Sequence, residues 1–194
     1  MVKDENLVKD LSFKGLYNDK IKDELRNKFN YSNPHQVPKL VKIVLNIGAG
    51  REAIADSKVV NYLAEELKLI AAQKPILTTA KKSIAGFKIR EGMKIGCKVT
   101  LRKERMFRFL ERLVVIALPS IRNFTGFSED NFDLNGNFNF GIKDRSVFCE
   151  LDSLRREGRK LEGSKGMNIT IVTTAKNSQE GKELLSCFGL PFKP

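Results

Sequence analysis

The chain lacks any long apolar run. None reaches the roughly 18 residues of a membrane-spanning helix, so no membrane partner is expected. The opening residues MVKDENLVKDLSFK have no apolar signal core, and Asp4, Glu5 and Asp10 argue against a transit peptide. A soluble protein is the expectation. Histidine is nearly missing. His35 is the single one, set in the proline-containing loop NYSNPHQVP, with no nucleophile or orienting carboxylate to make it a catalytic base. Cys97, Cys149 and Cys187 are far apart, form no C-x-x-C and sit among apolar neighbours. They read as small buried hydrophobes in a reducing compartment rather than as zinc ligands. No G-x-x-x-x-G-K-[ST] loop is present, and Glu91 and Glu104 stand apart among cations instead of forming a carboxylate pair. Gly48-Ala49-Gly50 follows a strand pattern, but the third glycine of a dinucleotide turn is missing and Arg51-Glu52 fills its place. These glycines are expected to give a tight exit from the strand. Thus no cofactor, no metal and no enzymatic activity are expected.

What is present is positive charge. The 35 lysines and arginines exceed the 23 acids, for a formal net charge of +12. The segment Gln73 to Arg108, QKPILTTAKKSIAGFKIREGMKIGCKVTLRKERMFR, holds eleven cations against two acids, most of that excess. The charges alternate with apolar residues: Lys98, Thr100 and Arg102 against Cys97, Val99 and Leu101. Alternate residues of a strand face opposite ways, so one face enters a core while the other shows cations and a hydroxyl. The small, glycine-containing middle of the segment, Lys81 to Lys94 within a protrusion over 78–98, reads as a basic finger with few core contacts, mobile in the free protein. A basic face and a basic finger suit a polyphosphate partner.

The rest of the chain reads as one domain over residues 1–194, with residues 1–14 an N-terminal extension. Tyr17, Ile21, Leu25 and Phe29 form a helical stripe within Leu7 to Phe29. Val41, Ile43, Leu45 and Ile47 alternate as a strand. Val59, Leu63, Leu67 and Ile70 form the stripe of the next helix, with Asp56 or Ser57 as its cap and Pro75 barring its continuation. Ile76 to Ala80 and Cys97 to Arg102 are expected to pair antiparallel around the finger. Glu104 to Ile121 reads as the most apolar helix, kinked or ended at Pro119. Phe124, Phe127 and Phe132 lie in a Gly/Asn/Asp-rich loop, where anchoring the loop is the commoner use of such rings and base stacking the rarer. Phe138, Phe140 and Ile142 form a fourth strand, which Val147, Cys149 and Leu151 are expected to extend. Met167 to Ala175 is a strand and Ser178 to Phe188 a closing helix. The fold class is α+β: about five strands, mostly antiparallel, with helices packed on one face and a long basic β-hairpin excursion.

Four separated segments in order, VPKLVKIVLNIGAGREAIADSKV, QKPILTTAKKSIAGFKIREGMKIGCKVTLR, RMFRFLERLVVIALPSIRNFTGFS and NITIVTTAKNSQEGKELLSCFGLPF, resemble the large-subunit ribosomal protein L-five family, bacterial type. The resemblance implies an antiparallel sheet with helices on one side and a place in the central protuberance. It implies 5S rRNA contacts at Asn46, Gln73, Thr100 and Arg102, to which the charge pattern adds Lys98. It also implies contact between the finger and the elbow of P-site tRNA, for which Lys81, Lys82, Ser83, Lys88, Arg90 and Lys94 are the candidates. Further implied partners are 23S rRNA, other central-protuberance proteins and, across the subunit interface, the small-subunit protein S-thirteen. The implied place is a bacterial cytoplasm or an organellar ribosome. The sequence departs from the family pattern at FDLNGNF, at Cys149 and in the basic stretch Asp152 to Gly166. Two rivals compete with this reading: an RNA-processing or nucleotide-dependent enzyme, and a membrane-surface polyanion binder. The second would carry its cations on an amphipathic helix rather than in strands and a finger.

Overall fold

The computed structural model describes residues 12–122, 124–156 and 166–193. The N-terminal extension up to Leu11, and most of the basic stretch after Arg156, lie outside the described residues. Five strands form one antiparallel open sheet in the order β2-β3-β1-β5-β4. They are β1 (Leu40–Gly48), β2 (Ile76–Thr79), β3 (Lys94–Leu101), β4 (Phe138–Ile142) and β5 (Met167–Thr173). The described residues fall into two compact units, one from within 1–43, 102–139 and 170–194, the other from within 44–101 and 140–169.

The first unit contains α1, α4 and α6. Helix α1 runs as Phe13–Leu16, a π turn at Tyr17–Ile21, then Lys22–Phe29. It starts at Ser12, whose hydroxyl accepts from the Gly15 amide at 3.4 Å. Ile21 and Leu25 of its stripe are buried, while Tyr17 and Phe29 are half-buried. The Tyr17 hydroxyl donates to the Pro38 carbonyl at 3.0 Å, fixing the chain just before β1. Phe13, Tyr17 and Phe107 surround the buried ring of Phe188 at centroid distances of 5.6, 6.2 and 6.2 Å. The expected helix Glu104 to Ile121 is shorter and changes type: α4 (Lys103–Arg112) passes into a π turn at Leu113–Ala117, and hydrogen-bonded turns end it around Pro119. Its apolar side, Met106, Phe109, Leu110, Leu113 and Ala117, is buried. The Phe127 ring packs against Phe124 and Phe138, and Phe132 packs against Phe138 at 4.7 Å. These rings anchor the loop to β4 and are not held out for bases. Helix α6 (Ser178–Cys187) closes the unit.

The second unit contains α2 (Gly50–Ala55), α3 (Val59–Ala71) and α5 (Asp152–Arg156). Helices α2 and α3 pack on β3, whose Cys97, Val99 and Leu101 point inward. Asp56 is not the N-cap of α3: its carboxylate accepts from the Lys58 amide at 2.8 Å, and Lys58 holds the cap position. The helix stops before Pro75 is reached, because Ala72 turns left-handed at φ 49°. Gly48 and Gly50 have no positive φ, and a Cβ at either would meet nothing within 4 Å. The strand exit therefore does not require glycine. The expected strand extension through Val147, Cys149 and Leu151 is instead two 3-10 turns, Arg145–Val147 and Cys149–Leu151. Arg145, Phe148 and Leu151 are buried here, a spacing of three that belongs to a 3-10 path and not to a strand, and Leu154 is buried on α5 just beyond. Cys149 is consequently exposed and Cys187 half-buried, so only Cys97 is the buried thiol expected of all three.

The alternation in β3 makes a sharp test. Leu101→Ala should lower stability by about 2–5 kcal/mol, since a core side chain is truncated. Thr100→Ala, one residue earlier on the half-buried outer side, should melt close to the unsubstituted protein. Thermal or urea unfolding of the pair reads this, and equal losses would place the wrong face inward.

Candidate nucleic-acid interface

Strand β3 is hydrogen-bonded to β2 on one side and β1 on the other. Its buried residues fix where the others go. Lys98 is exposed and Thr100 half-buried between inward-facing neighbours. On β1 the same logic turns Asn46 outward, because Leu45 and Ile47 on either side are fully buried. Among the described residues, neither the Asn46 amide nor the Thr100 hydroxyl has a hydrogen-bond partner within the protein. Both are free to bond phosphate, ribose or base edges.

The β2–β3 register places Ile76 opposite Lys98 and Thr78 opposite Gly96. Cross-strand partners share a face, so Ile76, 66% exposed, stands beside Lys98 on the open side. The sequence reading missed Ile76, although the alternation of ILTT could have suggested it. Gly96 leaves a flat spot in this face. A Cβ there would come within 2.5 Å of the Ile47 carbonyl oxygen and 3.1 Å of the Thr78 hydroxyl.

Gln73 follows α3 and reaches β3. Its Nε2 donates to the Thr100 carbonyl at 3.2 Å. Gln73 thereby holds the strand that carries Thr100. Asn46, Gln73, Lys98 and Thr100 all belong to the second unit, whereas Arg102 belongs to the first. Arg102 is exposed there at the N-cap of α4, in extended backbone, and Lys103 after it adopts φ 52°.

The finger spans the connection between β2 and β3. At its base Ala80 and Met93 are joined by the Ala80 amide donating to the Met93 carbonyl at 2.9 Å, and the Gly92 amide donates to the Ala80 carbonyl at 3.0 Å. Gly92 sits at φ 78°, a conformation in which glycine is favoured. Further out, Ile84 and Ile89 form an antiparallel bridge, and the Ser83 hydroxyl accepts from the Glu91 amide at 2.9 Å. The tip is a 3-10 turn, Ala85–Phe87, ended by Lys88 at φ 51°. Lys81, Lys82, Ser83, Lys88 and Arg90 are exposed along this path. Lys94 is also exposed but lies at the root, as the first residue of β3, with its Nζ 3.5 Å from the Asn61 side-chain oxygen.

The chemistry around this surface is electrostatic. Cys97, on the inner side of β3, has its thiol pushed up to about 11 by burial, with Arg145 opposing and Glu66 adding to the rise. It is a neutral buried thiol and not a nucleophile. Glu104 donates no proton either: its hydrogen bond and charge contact with Lys14, 3.2 Å away, hold its carboxyl below the usual range. Among the described residues no three His, Cys, Asp or Glu side chains gather as a metal site, and no helix is long and apolar enough to cross a membrane.

The flat spot at Gly96 is testable. Gly96→Ala should cost about 1–3 kcal/mol, because the added methyl meets a backbone oxygen that cannot swing away. The readout is the unfolding midpoint beside RNA affinity. A variant as stable as the parent would mean that β1 and β3 separate without cost.

Comparison with known families bears on this surface directly. The family model described as "Ribosomal protein L5" matches residues 33–90, which include Asn46, Gln73 and most of the finger. A second model, for the C-terminus of the same ribosomal family, matches residues 94–192, from the root of the finger through β3 to the last helix. The chain therefore belongs to the ribosomal protein L5 family and is a structural component of the large ribosomal subunit, with rRNA and ribosomal proteins as its partners, and not an enzyme.

Proposed function

We propose that the chain binds 5S rRNA in the central protuberance through the open side of β1 and β3. The observation that carries this reading is the outward set Asn46, Lys98 and Thr100, whose side-chain hydrogen-bonding groups find no partner among the described residues. Asn46 and Thr100 read 2′-hydroxyls and base edges, and Lys98 and Arg102 meet phosphates. Gln73 takes part by holding Thr100 in place through the strand backbone. The protein links this RNA to 23S rRNA and meets other central-protuberance proteins. It also meets the small-subunit protein S-thirteen across the subunit interface. The finger reaches P-site tRNA with Lys81, Lys82, Ser83, Lys88 and Arg90, and Lys94 steadies its root. A bacterial cytoplasm, or an organelle, is the setting.

Selective 5S rRNA binding should weaken steeply with salt. With ~4–6 phosphates neutralised, the log–log slope should be about −3 to −5. Asn46→Ala and Thr100→Ala should each weaken binding by about 0.5–1.5 kcal/mol without unfolding the protein. Filter binding across a salt series measures both, and equal affinity for unrelated RNA hairpins would refute the assignment.

Replacing Lys82, Lys88 and Arg90 together by Ala should leave 5S rRNA affinity nearly intact, since no core contact is removed. The same change should speed tRNA release from the P site of ribosomes carrying the variant. Loss of 5S rRNA binding with unchanged tRNA release would assign the finger to assembly instead.

A further inference from the structure

The sequence contains thirteen phenylalanines, all within the described residues. Twelve are buried or half-buried. Phe87 alone is exposed, at 67%, and it stands at the tip of the finger. Among the described residues no other aromatic ring lies against it. Its backbone is nonetheless fixed. The Phe87 amide donates to the Ile84 carbonyl at 3.3 Å, the Lys88 amide donates to the Ala85 carbonyl at 3.0 Å, and the Ile84–Ile89 bridge closes the turn beneath. Ile84, 47% exposed, adds a second apolar side chain at the same end. Around them stand the exposed cations Lys81, Lys82, Lys88 and Arg90.

We infer that Phe87 stacks on an exposed base face of the RNA that the finger meets, so that the tip reads a base plane while its cations meet the phosphates. This rests on the proposed contact between finger and tRNA and adds to it a residue outside the cationic set. A large ring held out in water gains by being covered, and Ile84 beside it makes the tip more than one isolated apolar side chain. The partner here must be anionic, because the ring is surrounded by cations, and must offer a flat apolar surface, because a single ring on a narrow turn fills no protein groove. A structured RNA with an unstacked or terminal base face meets both demands, and such stacking is indifferent to which base is met.

The test uses three substitutions that leave every cation in place. In ribosomes carrying Phe87→Tyr, release of deacylated tRNA from the P site should match the parent, since the aromatic face is kept. In ribosomes carrying Phe87→Leu, which keeps apolar bulk without a π face, release should be roughly 5- to 100-fold faster. The chain has no tryptophan, so Phe87→Trp gives the isolated full-length protein a single indole reporter. Its emission should be quenched by tRNA and not by an RNA hairpin closed with a stable tetraloop. If Phe87→Leu releases tRNA at the parental rate, or the indole is unaffected by saturating tRNA, stacking is overturned. If the Lys82, Lys88 and Arg90 triple variant still speeds release in that case, the tRNA contact survives as a phosphate contact alone. If that triple variant also releases at the parental rate, the tRNA contact itself is overturned.

Discussion

Burial of Cys97, Val99 and Leu101 sets the direction in which Lys98 and Thr100 must point. Each large apolar side chain taken from water stabilises the fold by about 1.5–3 kcal/mol, and a strand gives it only two faces to choose between. A slip of one residue would put Lys98 and Thr100 inward and the apolar set outward. The register is held from both sides. Ile76 lies opposite Lys98, and Gly96 lets β3 approach the Ile47 carbonyl more closely than any other residue could. The candidate interface is thus a by-product of the core: the polar groups need no scaffold of their own, because the apolar groups between them already fix their position.

Beneath this strand lies a feature with a cost. Glu66 of α3 and Arg145 of the first 3-10 turn are both nearly fully buried and pair at 2.6 Å. Arg145 Nε and Nη1 are buried and meet no hydrogen-bond acceptor among the described residues. Attraction in such a site offsets desolvation only with good geometry, so this pair is not a strong source of net stability. Its effect is specific instead. A charge that is buried only when paired ties the turn at Arg145 to one place on α3. Phe148 and Leu151 then follow into the core at spacings of three. Cys149 falls on the exposed position of that path, where side-chain size is least constrained.

The strands and most helices were legible because each follows a single period. Val59, Leu63, Leu67 and Ile70 are buried as their four-three spacing requires, and β4 shows its alternation of buried and exposed residues without exception. What misled the reading was a mixture of periods. Val147, Cys149 and Leu151 mimic a strand at period two, yet Arg145, Phe148 and Leu151 at period three decide the path, and an arginine gives no hint of being a buried member. The end of α3 at Ala72 and the π turns at Tyr17–Ile21 and Leu113–Ala117 depend on backbone choices that no residue type there demands. Charge alternation was enough to place Lys98 and Thr100 on the outer side of β3. Ile76 escaped because apolar residues of a strand are assigned to a core by default, and Phe87, placed in the outward finger, was passed over in favour of the cations around it.

Sheet and finger orient their groups by different means, and that difference suits different partners. Asn46, Lys98 and Thr100 are held by a packed core, so their spacing cannot adjust without breaking it. A surface of that kind suits a single RNA shape that stays bound. The finger is held by its own short hydrogen bonds, a glycine at φ 78° and Lys88 at φ 51°. Its residues 81–88 are all exposed, so its tip is held by these local bonds and not by packing against neighbours. Side chains on such a turn can adapt to ligands that differ in sequence and share only a backbone and base planes. Under the proposed reading, the sheet serves the RNA that never leaves and the finger serves the RNA that is exchanged at every cycle. The boundary between the two falls at Lys94, where β3 begins and the core takes over the choice of which way each side chain points.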